Sequence, residues 1–212
     1  MRRFGSLWAC GTAVLASFLS ACGHDVAPRV DHTAGFKIVA AEVLERAQQA
    51  GASQTQLDIV AASATEGAPI EFAEYEDAYF AFATCMESAG LVVDGPLMQQ
   101  MHGQTLVNYG IGSSPEFTEQ QMFEVHNRCR TEHFGFVDEV YQSQPAAEEY
   151  IDAAFEKLRP QLLECLRGYG ASLPDNALPD EFSTAQLEVV SLHGEGADCF
   201  ESTGLNAALN GG

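Results

Sequence analysis

Residues 71–90, EFAEYEDAYFAFATCMESAG, contain the pattern that decides the fold. Large apolar side chains recur there at three- and four-residue steps, at Phe72, Tyr75, Tyr79, Phe82 and Met86. This spacing places them on one face of an α-helix. Gly90 follows Cys85 by five positions, as expected when a helix carries its cysteine in the last turn and ends at a left-handed glycine. The stretch predicts a helix with an aromatic face turned to a core.

The spacing from cysteine to glycine occurs twice more, in CLRGYG (165–170) and CFESTG (199–204). Cys129, in CRTEHFG, is the irregular member of the set. The recurrence indicates a weak internal duplication, in which each copy contributes two cysteines. We therefore predict two helical halves, residues 36–142 and residues 146–205.

The N-terminus has the three parts of a secretory signal: Met1-Arg2-Arg3, an apolar run from about Leu7 to Leu19, and small residues. The run is shorter than the roughly 20 residues that span a bilayer. Leu19-Ser20-Ala21-Cys22 resembles a bacterial lipobox. The resemblance implies cleavage after residue 21 and a diacylglyceryl thioether on Cys22, and two acyl chains give a stable anchor. We predict a signal peptide over 1–21, a flexible tether over 22–35, and a membrane-anchored protein facing the extracytoplasmic side.

Four cysteines follow the lipobox, and an even number in an exported chain implies disulfide bonds. Three connectivities are open on sequence alone. The duplicated pattern favours sequential pairing, Cys85 with Cys129 and Cys165 with Cys199. In the chain-entropy model each bond would stabilise the fold by about 4 kcal/mol. A contribution of that size matters in halves whose separate cores are small.

Helical periodicity dominates the rest of the chain, so the predicted fold is mainly α, with one or two small disulfide-stapled domains. Residues 91–110 favour strands and predict a short β-hairpin. Ser53–Gln56 and Ser183–Gln186 have the form of capping boxes. Pro115 is expected to open a helix, and Pro160 to kink or restart one. The final residues, LNAALNGG, are expected to fray.

The chain is strongly acidic, with 30 acidic and 10 basic side chains among 212 residues. Residues 1–21 contain two arginines and no acidic residue, so the chain from Cys22 onward has a net charge of −22. Nucleic-acid binding needs a basic surface, so we predict no nucleic-acid partner. The same charge keeps the folded part away from an anionic membrane surface, so lipid contact is expected through the anchor alone.

Several of these segments together resemble a group of uncharacterised exported lipoproteins from actinobacteria. The similar segments are AGASQTQLDIVAAS (50–63), the residues Phe72, Tyr75, Glu76, Cys85 and Gly90, then NRCRTEHFGFVDEVYQ (127–142) and LLECLRGYGASLPDNA (162–177). The resemblance covers most of residues 47–205. It implies an exported, lipid-anchored, disulfide-bonded and mainly helical protein, and it implies no activity.

Two constellations on one predicted helix raise the question of chemistry. His126, Cys129 and His133 lie at i, i+3 and i+7, and with Cys85 they would form a two-cysteine, two-histidine zinc set. Oxidation of the cysteines in an exported protein disfavours that set, so we predict no metal and no cofactor. The second constellation is an acid–base group of His126, Glu132 and His133, which would serve a hydrolase-like enzyme of the cell envelope.

No catalytic residue is predicted from the sequence. The favoured interpretation is a lipid-anchored extracytoplasmic helical module that binds an envelope protein or ligand. The alternatives are the hydrolase-like envelope enzyme and a passive surface lipoprotein.

Overall fold

The aromatic helix lies at the centre of one of two hydrophobic cores. The computed structural model describes residues 31–112 and 117–210. The elements in chain order are α1 (His32–Ala50), α2 (Gln54–Glu66), α3 (Phe72–Ser88), β1 (Val92–Met101), β2 (Gln104–Gly112), α4 (Glu119–His133), α5 (Gly135–Gln142), α6 (Pro145–Gly168), α7 (Pro179–His193), a 3-10 helix (Glu195–Ala197), α8 (Cys199–Ser202) and α9 (Leu205–Leu209). The prediction of a mainly α fold with one hairpin is confirmed.

The first core forms around α3, as the aromatic stripe predicts. Tyr75, Tyr79, Phe82 and Met86 are each at most 1% exposed. The ring of Phe134, from the junction of α4 and α5, lies 5.4 Å from Tyr75, 5.8 Å from Phe82 and 5.9 Å from Tyr79. Burial of one such side chain contributes about 1.5–3 kcal/mol, so this ring cluster is a major source of stability.

The hairpin covers one side of this core. β1 and β2 pair antiparallel, with Met101 opposite Gln104 at the turn and an irregularity between Asp94 and Leu97. The backbone N–H of Val107 donates to the hydroxyl of Tyr75 at 3.2 Å, which ties β2 to α3. The predicted hairpin is confirmed, two residues longer at its C-terminal end than predicted.

The second core lies between α6, α7 and the C-terminal helices. Its most buried large side chains are Leu162, Leu166, Phe182 and Leu205, each close to 0% exposed. Phe155 packs on Phe182 with ring centroids 5.8 Å apart. This core is separate from the cluster around α3, although one compact unit, Asp31–Gly212, contains both.

The sequential disulfide pairing is confirmed. Cys85 bonds to Cys129, joining α3 to α4, and Cys165 bonds to Cys199, joining α6 to α8. The Cα atoms are 5.7 and 5.8 Å apart, respectively, within the usual range for such a bond. Each hydrophobic core therefore contains one crosslink.

Two long helices end in the same way, at the glycine that follows a cysteine by five positions. At the end of α3, Gly90 has a φ of +93° and the N–H of Leu91 donates to the carbonyl of Met86. At the end of α6, Gly170 has a φ of +95° and Ala171 donates to the carbonyl of Leu166. These are Schellman caps, in which a left-handed residue closes the last turn. Each cap changes the direction of the chain five residues after the first cysteine of a disulfide pair.

Two predicted boundaries are wrong. α1 begins at His32, with Asp31 capping it, so residues 32–35 belong to a helix and not to the tether. α4 begins at Glu119, where Thr118 and Gln121 form a reciprocal capping box; Pro115, which was expected to open a helix, lies outside the described residues. α6 is one helix through Pro160, so of the two expected outcomes, a kink or a restart, the restart is wrong. At α1 the local cap by Asp31 sets the boundary.

The C-terminal helix is anchored, contrary to the predicted fraying. Leu205 is fully buried in the second core. The carbonyl of Leu209 accepts from the N–H of His102 at 2.8 Å, and the carbonyl of Ala208 accepts from the hydroxyl of Tyr150 at 2.8 Å. A buried apolar anchor and two hydrogen bonds hold α9 to α6 and to the hairpin turn.

Two glutamines in the predicted capping boxes have tertiary roles instead. The Ser53 hydroxyl does accept from the N–H of Gln56, but the Gln56 side chain is buried and does not reach back to Ser53. Its oxygen accepts from Phe136 and Val137 at the start of α5, at 2.8 and 3.2 Å, and its amide donates to the carbonyl of Thr131. Gln56 thus caps α5 from another helix.

The second glutamine repeats this arrangement in the other core. Ser183–Gln186 lies inside α7, which begins at Pro179, so no capping box forms there. The Gln186 oxygen accepts from the N–H of Cys199 at 3.0 Å, and its amide donates to Asp198 at 3.1 Å. In both halves a buried glutamine therefore satisfies backbone groups near the second cysteine of the pair.

Within residues 31–112 and 117–210, no helix combines the length and apolarity that crossing a membrane requires. The predicted lipidation residue Cys22 and the lipobox residues Leu19, Ser20 and Ala21 lie outside the described residues. The lipid anchor therefore stays a prediction.

Candidate functional site

A groove runs along α7 on the surface of the second core. We call it the α7 groove, and it has a volume of about 530 Å³. The side of α7 from Asp180 to Leu192 forms one wall, and the turn from Tyr169 to Leu173 forms the other. Asp180 and Leu192 are twelve helical rises apart, or about 18 Å, so the groove has the length of a short helical or extended segment.

The groove has an apolar floor and an acidic side. Ala185 and Val189 lie at its base and are 8% and 3% exposed. Two further lining residues are more exposed, Leu192 at 72% and Tyr169 at 40%. Asymmetric surfaces that combine apolar and charged parts are typical of binding sites for amphipathic segments.

Three carboxylates border the groove, and they are not equivalent. Glu181 accepts a hydrogen bond from the N–H of Leu178 at 2.7 Å and so completes the first turn of α7. Asp180 and Glu188 are exposed and have no hydrogen bond or ion pair with another described residue. These two carboxylates are therefore available to a cationic group from outside.

The wall opposite α7 is held by arginines. The Schellman cap at Gly170 turns the chain back along α7, and Arg167 then donates to the carbonyl of Leu173 at 3.1 Å and to Asp175 at 2.8 Å. Arg159 lies over the ring of Phe182 at 5.4 Å and donates to the carbonyl of Ala177. These contacts fix the loop between α6 and α7.

The residues proposed for metal binding or acid–base chemistry separate into two places. Cys85, Glu132 and His133 come together, with one ligand atom of each within 4.8 Å of the others. Cys85 is bonded to Cys129, so neither sulfur is a thiolate in this structure. We call Cys85, Cys129, Glu132 and His133 the α3–α4 cluster.

His126 is not part of that cluster. Its Nε2 atom is 3.0 Å from the hydroxyl of Tyr109, and its ring meets the edge of Phe82 at 5.7 Å. Seven helical residues separate it from His133, a distance of about 10 Å along α4. The zinc set that the sequence disfavoured and the alternative acid–base group therefore do not assemble as single sites.

A buried polar network lies between the hairpin, α4 and α5, next to a cavity of about 430 Å³. The carboxylate of Asp138 accepts from the Tyr75 hydroxyl at 3.1 Å, from Gln142 at 2.8 Å and from Arg130 at 2.8 Å. Burial, with a further contribution from the negative charge of Asp138, raises the pKa of Tyr75 well above its usual range. Because both carboxylate oxygens are engaged, this network holds elements together and offers no free base.

Neither the α7 groove nor the Asp138 network could be predicted from the sequence. The groove residues recur along α7 at helical spacing, but the wall that completes the groove comes from the preceding loop. Asp138 follows a glycine and a buried valine without any motif. The Asp138 network depends on a contact with Tyr75, 63 residues away. The groove depends on the path of the loop between α6 and α7. No local pattern encodes either feature.

Comparisons of the chain with protein-family models, with curated proteins and with solved structures find no match. The geometry of the described residues is therefore the basis on which a function can be assigned.

Proposed function

We propose that this chain is a lipid-anchored extracytoplasmic binding protein, and that its α7 groove binds a cationic, amphipathic segment of an envelope partner. The observation that carries the proposal is the groove itself. The groove extends for about 18 Å beside α7, its floor contains Ala185 and Val189, and Asp180 and Glu188 border it without a partner among the described residues.

The charge of the chain supports a cationic partner. The net charge is −20 for the full sequence, and a field of that sign raises the local concentration and the association rate of cations. Apolar side chains of the partner would contact Ala185 and Val189, and its basic side chains would lie near Asp180 and Glu188. A helix laid in a groove is a common mode of peptide recognition.

The anchoring part of the proposal rests on the resemblance of residues 19–22 to a lipobox. Mass spectrometry of the mature protein is expected to find Cys22 as the first residue, carrying added acyl mass. A Cys22→Ala variant should lose that mass and leave the membrane fraction. A mature wild-type chain that begins elsewhere, or that carries no acyl group, would contradict the anchor without touching the groove.

A synthetic peptide tests the groove directly. The probe is a labelled helix of about 15 residues, with lysines on one face and leucines on the other, long enough to fold marginally by itself. Binding to the purified protein is followed by fluorescence anisotropy at low and high salt. We expect saturable binding that weakens as salt rises, because salt screens interactions between exposed charges.

Charge reversal with a matched control separates the groove from the general acidity of the chain. Asp180→Lys with Glu188→Lys should weaken binding at least about tenfold, because attraction becomes repulsion at both carboxylates. Asp77→Lys with Glu87→Lys makes the same change in net charge on α3, away from the groove. We expect a change of less than about threefold from the control pair.

Equal losses from both pairs would mean that the peptide senses only net charge, and the proposed groove would be wrong. Absence of saturable binding would also contradict the proposal, and would favour a passive surface lipoprotein. A Leu192→Ser variant tests the apolar part, and should weaken binding without changing its salt dependence.

A further inference from the structure

The geometry points to a second site: on reduction of the Cys85–Cys129 bond, the α3–α4 cluster becomes a tetrahedral Zn²⁺ site. The four ligands would be the thiolates of Cys85 and Cys129, a carboxylate oxygen of Glu132 and a ring nitrogen of His133. This site is independent of the α7 groove.

The spacing on α4 supports this ligand set. Cys129, Glu132 and His133 lie at i, i+3 and i+4, so they occupy one face of the helix. Cys85 comes from α3, whose last turns pack against that face, and its Cα is 5.7 Å from that of Cys129. Two helices therefore supply the four ligands, as in other zinc sites built from paired cysteines and an adjacent helix.

The distances require little rearrangement. One ligand atom each of Cys85, Glu132 and His133 lies within 4.8 Å of the other two, and His133 Nε2 is 3.6 Å from Glu132 Oε1. With bonds of about 2.0–2.3 Å to zinc, ligand atoms in a tetrahedron lie roughly 3.3–3.8 Å apart. Closing by about 1 Å would bring these three atoms to that geometry. The Cys129 sulfur is bonded to the Cys85 sulfur, at the disulfide distance of about 2.05 Å, and would have to separate from it by about 1.7 Å after reduction.

Access to the sulfurs is open on one side. A surface pocket of about 450 Å³ is lined by Cys85 and His133, together with Thr84 and Ser88. Cys85 is partly exposed there, whereas Cys129 is fully buried. A reductant and a hydrated ion can therefore approach the cluster from solvent without opening the core.

The other disulfide provides an internal contrast. The atom near Cys165 is the hydroxyl of Ser202, at 3.7 Å from the sulfur. Among the described residues, no grouping of histidine, cysteine and carboxylate side chains close enough to hold a metal ion includes Cys165 or Cys199. Of the two reduced pairs, only Cys85 with Cys129 is expected to bind zinc.

The chemistry of the conversion is balanced. A trialkylphosphine takes the oxygen of one water and becomes the phosphine oxide, while two electrons and two protons pass to the disulfide and give two thiols. Zn²⁺ then displaces the two thiol protons as it binds both thiolates. The glutamate binds as its carboxylate and the histidine as its neutral ring, so the bound site carries a net charge of −1.

Cobalt and zinc titrations of the phosphine-reduced full chain, kept free of oxygen, test the proposal. Co²⁺ is expected to give thiolate-to-cobalt charge-transfer absorption and the visible bands of a tetrahedral site, both displaced by one equivalent of Zn²⁺. Where reduction loosens the fold, Zn²⁺ should restore the helical circular dichroism, because metal binding couples to folding. The oxidised chain should give no such spectrum.

Single substitutions identify the ligands. His133→Ala and Glu132→Gln should each weaken Zn²⁺ binding by about 100-fold or more, since even residues that only orient a ligand change affinity 10–100-fold. His126→Ala is the matched control on the same helix and should leave the affinity within about threefold, because His126 lies outside the site. These variants retain both disulfides before reduction, so their folding is checked in the oxidised state.

Replacement of Cys165 and Cys199 by serine removes the other pair of thiols and should leave the cobalt spectrum unchanged. No tetrahedral spectrum in the reduced wild-type chain would overturn the inference. So would equal affinities for wild type and His133→Ala, or loss of the spectrum in the Cys165→Ser, Cys199→Ser variant, since each assigns the metal to other residues.

Discussion

Removing the hydroxyl from two tyrosines of α3 should change stability in opposite directions. Tyr75 and Tyr79 lie one turn apart, and both are 1% exposed. The Tyr75 hydroxyl donates to Asp138 and accepts from the N–H of Val107. The Tyr79 hydroxyl is buried and has no hydrogen-bond partner among the described residues. The same substitution, tyrosine to phenylalanine, therefore removes two hydrogen bonds in one case and an unsatisfied polar atom in the other.

The magnitudes follow from those contacts. Tyr75→Phe leaves the buried N–H of Val107 without an acceptor, at a cost of about 1–3 kcal/mol, and loses a bond to a charged group worth about 1.5–3 kcal/mol. Because Arg130 and Gln142 still bond to Asp138, we expect a net loss of about 2–4 kcal/mol. Tyr79→Phe relieves an unpaired hydroxyl and should raise the free energy of unfolding by about 1–2 kcal/mol.

Urea denaturation at pH 7, followed by far-UV circular dichroism, measures both changes. The slope with denaturant should stay constant, so that a shift in midpoint reports stability. Tyr169→Phe, at a position 40% exposed, is the matched control and should change stability by less than about 0.5 kcal/mol. The reasoning is refuted if Tyr75→Phe and Tyr79→Phe shift the midpoint in the same direction, or if Tyr75→Phe matches the control.

The remaining predictions concern alkaline pH and the buried glutamine. Burial raises the pKa of Tyr75 in the folded state, so the unfolded chain loses the hydroxyl proton first as the pH rises. The contribution of Tyr75 to the free energy of unfolding should therefore fall above about pH 10, by roughly 1.4 kcal/mol per pH unit. Tyr75→Phe should flatten that fall in denaturation series from pH 9 to 11, and an unchanged slope would contradict the pKa shift. Gln56→Ala should lower stability by about 2–4 kcal/mol and speed hydrogen exchange at the N–H groups of Phe136 and Val137. The exposed Gln54→Ala should do neither, and slow exchange at Val137 in the Gln56 variant would show that another group caps α5.

The parts of the fold that the sequence predicted are those encoded locally. The aromatic stripe of α3 repeats at the helical period within 15 residues, and a glycine five positions after a cysteine has one good explanation in a helix end. Cys85 and Cys165 therefore lie in last turns, as predicted. The sequential disulfide pairing could be predicted because the duplicated pattern assigns two cysteines to each half of the chain.

The parts that escaped prediction depend on contacts between distant segments. Gln56 is three residues after a serine, which is the spacing of a capping box, yet its partners are 75 to 81 residues away. The capping box and the tertiary hydrogen bonds both require the side-chain amide of Gln56. The tertiary bonds form because the buried backbone groups at the start of α5 cannot bond to water instead. Nothing in a local window distinguishes these two outcomes.

The candidate sites also combine a part that could be predicted with a part that could not. The helical spacing of the α4 residues in the α3–α4 cluster could be predicted from the sequence. Whether His126 or Glu132 joins Cys129 and His133 there depends on the position of α3. At the α7 groove, Asp180 and Glu188 resemble any solvated helix face in sequence. Only the turn that begins at Gly170 converts that face into a groove. Predicting it would have required the path of a loop, and loop paths are fixed by contacts such as those of Arg167.

The two proposed sites belong to different cores, and this makes them separable by one redox experiment. Reduction opens both disulfides, so it should create zinc affinity at the α3–α4 cluster while breaking the α6–α8 crosslink in the core whose surface carries the α7 groove. In the Cys165→Ser, Cys199→Ser variant that crosslink is absent from the start. If the sites are independent, this variant should bind the cationic peptide equally before and after reduction, and yet gain zinc affinity only after it. Peptide affinity that follows the zinc content of this variant would instead mean that the two cores are coupled, since ligands at independent sites do not alter each other's affinity.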